Sequence, residues 1–171
     1  LRGTRGLASG DGVIPLSTTQ DIGGPLARSV EDLAFALDAT VGLDPSDETT
    51  RLSEGHIPET YTTVLNLDGL ENARIGIVTA FLGGNGDQPV REVIDSSVEE
   101  MKVLGAEFIE IDEPDLTELL QGGSVIGLEF KFDLDAYLQA TPGAHVRSLA
   151  DFVSTGLYHG ILERALRNSV E

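Results

Sequence analysis

The side chains able to do covalent or acid–base chemistry here are few: two lysines, three histidines and a scatter of serines, with no cysteine. A lysine base needs surroundings that lower its pKa. Lys131 lies between Glu129 and Asp133 in sequence, acids that would hold the ammonium protonated. Lys102 falls near the end of an amphipathic stretch, where a cation complements a helix C-terminus and points to water. A serine–histidine pair would have to draw on Ser9, Ser17 or Ser124 with His56, His145 or His159. None of these serines sits in a Gly-x-Ser-x-Gly elbow. The histidines offer no His-x-x-x-His spacing for zinc. Asp44-Pro-Ser-Asp-Glu48 lacks the glycine and terminal acid of a calcium loop. Gly10-Asp-Gly12 and Gly122-Gly123 lack the spacing and lysine of a phosphate loop. Glu99 and Glu100 are adjacent and cannot converge if helical. The expectation is a chain with no catalytic residue, no metal and no cofactor of its own. The charged group that stands out is Asp21, in a loop with Thr18, Thr19 and Gln20, just before Gly23-Gly24-Pro25.

Composition narrows the partners. The net charge is −18, from 29 acids against 11 bases. Nucleic-acid binding depends on neutralising phosphates with Lys and Arg, so DNA and RNA are excluded as expected partners. Anionic membrane surfaces are disfavoured on the same ground. No apolar run approaches the roughly 18 residues of a membrane span. Absence of cysteine excludes disulfides and thiol nucleophiles and fits a cytoplasmic location. A homo-oligomer stays open. A chain of 171 residues suffices for one domain with a buried core. Its only methionine is Met101, so Leu1 is not read as a translation start and the chain is taken as a fragment.

The elements that must position the Thr18–Asp21 loop can be read from periodicity. Gly-Gly-Pro permits a tight reversal, and Ser29 is then an N-cap with Asp32 three residues on. Val30, Leu33, Ala34, Leu37 and Val41 recur at helical spacing until Gly42 and Pro45 stop the helix. Asp44 to about Gly69 reads as a polar connection with at most short helices. Arg74 to Ala80 is a β-branched strand. Pro89 opens a helix whose apolar face is Val90, Val93, Ile94, Met101 and Leu104, with Gly105 as its cap. Phe108 to Ile111 is the second strand, so strand, helix and strand form a parallel βαβ unit with a right-handed crossover. Ser124 to about Ala140 is helical, with an apolar face of Ile126, Phe130, Tyr137 and Leu138 interrupted by Glu129, Lys131, Asp133 and Asp135. Short helices around Ser148–Ser154 and Ile161–Val170 complete an α/β fold.

Leu1-Arg-Gly-Thr4, Gly12 to Pro15, Asp21, Gly24-Pro25 and Ala27 to Asp32 resemble, in order and without a gap, the segment that follows the serine nucleophile in amidase signature enzymes. Glu129-Phe-Lys-Phe-Asp-Leu134 with Tyr137-Leu138 extends the resemblance. Gly3 departs from it, standing where the family usually has proline, after Arg2 in place of the usual lysine. The resemblance implies a single incomplete domain over 1–171, the C-terminal part of an amidase signature fold, with a mixed sheet, packed helices and one βαβ unit. It implies amide hydrolysis by the full-length protein through two serines and a lysine, all upstream of Leu1, on a small-molecule amide. The alternative is a non-catalytic binding or scaffold module on the same half-fold. Two readings stand for Asp21: an acid organising its own turn through backbone bonds, or part of a pocket wall or support with Thr18, Thr19 and Gln20, paired to an upstream arginine.

Overall fold

The computed structural model describes residues 1–81, 87–113 and 115–170. They fall into two compact units, one made of residues 1–63 with the stretch from Val125 onward, the other of residues 64–124. The α/β class holds.

In the second unit, β1 (Arg74–Val78), α2 (Gln88–Val103) and β2 (Glu107–Ile111) follow one another, and the strands pair in parallel with Ile75 opposite Phe108. Among the described residues this two-stranded pairing is the sheet. Pro89 occupies the first turn of α2, where its missing N–H costs nothing. The helix ends as expected at Gly105, with φ +96°. There the N–H groups of Gly105 and Ala106 donate to the carbonyls of Lys102 and Met101 at 3.0 and 3.1 Å, the paired bonds of a Schellman cap. The expected apolar face of α2 needs one correction. Its buried residue is Val98, flanked by half-buried Ile94 and Met101, whereas Val90, Val93 and Leu104 are exposed. Spacing of four and three from Ile94 to Val98 to Met101 defines the inward stripe. A six-residue helix, α3 (Leu116–Gln121), follows β2 and has no counterpart in the sequence reading.

The first unit carries α1 (Val30–Thr40), α4 (Ile126–Ala140), α5 (Leu149–Thr155) and α6 (Glu163–Val170), with a 3-10 turn over Glu48–Ser53 in the polar connection. Ser29 caps α1 by accepting from the Asp32 N–H at 3.0 Å. Ala34 and Leu37 form its buried side, while Val30 is exposed. The helix end is tied to the N-terminal segment through the Gly42 N–H to Leu7 carbonyl bond and an Ala8–Val41 bridge. The apolar core lies among the last three helices, where Leu134, Leu149, Val153 and Leu166 pack with Phe130, Leu138 and Phe152 around them. Leu149 is wholly buried. Two polar ties hold α5 on α4: the Leu149 N–H donates to Asp135 at 2.6 Å, and Arg147 donates to the Leu138, Gln139 and Thr141 carbonyls. That guanidinium satisfies carbonyls left open at a helix C-terminus and complements its dipole.

Candidate functional site

The loop singled out by sequence is a turn built on its own backbone. The N–H groups of Gln20 and Asp21 donate to the Ser17 carbonyl at 3.0 and 2.7 Å. One Asp21 carboxylate oxygen accepts from the N–H groups of Leu16 at 2.7 Å and Ser17 at 3.0 Å, closing the loop from outside. Asp21 thus makes the local backbone bonds that short acids offer to turns.

What pins this turn comes from the far end of the sequence. Glu129 on α4 accepts from the Ser17 hydroxyl at 2.6 Å, from the Thr19 hydroxyl at 2.7 and 2.8 Å to its two oxygens, and from the Thr19 N–H at 3.4 Å. Asp133, one turn on, accepts from the Thr18 N–H at 2.7 Å. Gln20 Oε1 accepts from the Val125 N–H at 3.1 Å and so caps the start of α4. Arg5 donates to the Thr18 carbonyl at 3.1 Å. Hydroxyl bonds from Ser17, then Thr19, hold the Glu129 carboxyl below the usual carboxylate range, and the nearby Arg5 charge acts in the same direction.

Between this turn, the N-terminal segment and α4 lies a cleft of about 790 Å³. Thr18 and Asp21 line it together with Asp133, Ala136 and Tyr137 of α4 and with Arg5. Tyr137 OH donates across to the Gly12 carbonyl at 3.4 Å. Thr19 and Gln20 are directed at α4. The cleft edge near Asp47 is stiffened by a second network. Ser9 Oγ donates to Asp44 at 2.6 Å, the Gly10 N–H donates to Asp47 at 2.9 Å, and the buried Thr50 hydroxyl bonds the carbonyls of Asp44 and Asp47. These bonds lower the pKa of both acids, through the Ser9 hydroxyl for Asp44 and the Gly10 N–H for Asp47. The acidic run is therefore a structured turn. Among the described residues no group of His, Cys, Asp or Glu is placed to hold a metal.

The other candidate groups stay apart. Ser9 and Ser17 each give their hydroxyl to a carboxylate, and Ser17 is wholly buried. His159 caps a 3-10 turn by accepting from the Ile161 N–H, and His56 and His145 are exposed. Lys131 donates to the Val170 carbonyl on α6. It does not share a face with its sequence neighbours, because residues two apart on a helix diverge while Glu129 and Asp133, four apart, align. Sequence reading took Glu129 and Asp133 as neighbours of Lys131, as interruptions of an apolar face and as part of a motif, and missed that they form a polar stripe of their own. The spacing of four held the signal.

Comparison with known proteins gives this geometry its setting. The sequence model of the amidase family matches residues 1–168. A probable amidase of Arabidopsis thaliana is 36% identical over 157 residues, covering 87% of this chain and 29% of the relative. A glutamyl-tRNA(Gln) amidotransferase subunit from Rippkaea orientalis is 32% identical over 165 residues, covering 96% of this chain and 30% of the relative. The native peptide amidase of Stenotrophomonas maltophilia superposes with a TM-score of 0.76 at 30% identity, covering 96% of this chain and 34% of that one. The chain thus spans about a third or less of each. Opening motif, α4 motif and fold agree along nearly its whole length: the chain belongs to the amidase signature family.

Proposed function

We propose that the full-length protein hydrolyses a carboxamide, taking up one water and releasing the carboxylic acid and ammonia or an amine. Membership of the amidase signature family over residues 1–168 carries this reading. A serine outside this chain attacks the amide carbonyl, and the carbonyl oxygen takes up the negative charge among backbone N–H donors. A second serine and a lysine, also outside the chain, pass the nucleophile's proton to the leaving nitrogen. The C–N bond breaks, and water then splits the acyl-enzyme. Thr18 to Asp21 form or support a wall of the acyl pocket. The hydroxyls of Ser9 and Ser17, already bonded to carboxylates, support placing the nucleophile elsewhere.

Ammonia release from a panel of primary amides tests the reading. Full-length protein is expected to turn over at least one amide, while residues 1–171 alone release no ammonia above background. Turnover by the chain alone that disappears on Ser9→Ala or Ser17→Ala would restore a local serine mechanism. No turnover by the full-length protein would favour a binding or scaffold module. In the active protein, Asp21→Ala should lower kcat more than it raises KM, because the turn braces the pocket without being consumed in uniform binding. Unchanged kinetics would reduce Asp21 to a turn residue. The Rippkaea relative's name favours a second reading, in which the released ammonia passes to an acceptor. Free ammonia formed without any acceptor decides for simple hydrolysis.

A further inference from the structure

We propose that Glu129 and Asp133 are positioning residues: a two-acid latch through which α4 fixes the Ser17–Gln20 turn and with it the width of the cleft. The inference rests on the hydrolase reading above for its kinetic arm and on geometry for the rest. Four successive residues of the turn each make a polar tie to α4 or its cap: Ser17 and Thr19 through their hydroxyls to Glu129, Thr18 through its N–H to Asp133, Gln20 through Oε1 to the Val125 N–H. Thr18, Thr19 and Gln20 are themselves exposed, so apolar packing does not hold them in place.

The helix they are tied to is anchored. Leu134 on α4 is buried in the core with Leu149, Val153 and Leu166. Lys131 fastens α4 to the end of α6. Carboxylates one helical turn apart rise by about 6 Å along the axis, which spaces two acceptors for donors in one tight turn. Bonds to an ionised acceptor are shorter and stronger than neutral ones, and here they join segments more than 100 residues apart in sequence. Asp133 also lines the cleft, together with Ala136 and Tyr137 from the same face of α4. Loss of the latch would let one wall move while the other stays on the core. Displacements near 1 Å at a positioning group can cost on the order of a hundredfold in rate.

The test uses full-length protein carrying Asp133→Ala, Asp133→Asn, Glu129→Gln and, as control, Lys131→Ala. Asp133→Asn keeps an acceptor for the Thr18 N–H and Asp133→Ala removes it, whereas Glu129→Gln puts an NH2 donor where both carboxylate oxygens accept from the Ser17 and Thr19 hydroxyls. Amide hydrogen exchange at Thr18 and Thr19 is expected to accelerate about tenfold or more in Asp133→Ala and Glu129→Gln, and to stay near wild type in Asp133→Asn. Under conditions where every variant is folded, kcat is expected to fall about tenfold or more in Asp133→Ala with KM within about threefold, and to recover in Asp133→Asn. Lys131→Ala should lower the unfolding midpoint while leaving kcat and the turn's exchange unchanged. Unchanged exchange in Asp133→Ala and Glu129→Gln would overturn the latch. So would equal kcat losses in Asp133→Ala and Lys131→Ala, which would make the acids mere fold contacts. Absence of turnover in the wild type would instead overturn the hydrolase reading, and the exchange result would then decide the latch alone.

Discussion

Gly6 shows how one residue can set the shape of the cleft. Its φ is +81°, and a Cβ there would run into the backbone carbonyl of Thr49. An L-residue in the left-handed region costs roughly 1–2 kcal/mol, and a backbone oxygen held by its own turn cannot swing aside as a side chain would. Gly6→Ala is therefore expected to destabilise the full-length protein by about 2 kcal/mol or more, read from the urea midpoint at constant slope. A loss under about 0.5 kcal/mol would show that the segment shifts freely. Ser17 makes the complementary point. Its type admitted a nucleophile in the sequence, yet folding buries it and engages its hydroxyl with Glu129. A serine's chemistry depends on what lies 112 residues away, and local spacing carries no trace of that partner.

At the scale of elements, most of the architecture was legible because short-range signals determine it. Ser29 as cap, Pro89 in a first turn and Gly105 past a helix end are local statements about backbone donors and permitted φ, and each stands in the structure. The α4 helix was legible as a helix and misread as a surface. Its sequence meets three different neighbours: Leu134 turns to the core, Glu129 and Asp133 to the turn, Leu128 and Phe132 outward. A two-sided picture of apolar and polar faces therefore took the acids for interruptions. The stripe of α2 was displaced toward Val98 because exposed valines at its start share the apolar character of the buried one. The α3 helix spans six residues, under two turns and too short for periodicity to register. Periodicity and spacing gave no sign of the cleft, since it arises only where segments distant in sequence meet; a pocket wall at Thr18 to Asp21 was suggested by the resemblance alone.

At the scale of the whole molecule, charge and hydrogen bonding pull in opposite directions as pH falls. The 29 acids repel one another at neutral pH, and protonation relieves that. Asp44, Asp47 and Glu129 behave differently, because each is held below its ordinary pKa by donors present only in the folded state. A depressed folded pKa gives stability that is present above the unfolded value, near pH 4, and is lost as pH falls through the lower folded value. The urea midpoint is expected to decline below about pH 4, and Glu129→Gln should decline less steeply than wild type over that window. Parallel acid limbs would remove Glu129 from the account. The described residues hold no helix long and apolar enough to cross a membrane. Finally, the first unit is interrupted in sequence, with residues 64–124 forming the other unit between its two stretches. Ribosomes add about 5–20 residues per second, so Ser17 and Thr19 are made on the order of ten seconds before the carboxylate that will receive them. Until α4 emerges, the turn is held by Asp21, by Arg5 on the Thr18 carbonyl and by its own backbone. Asp21 is thus the acid of the turn that is already in place while Ser17 and Thr19 wait for Glu129 to be made.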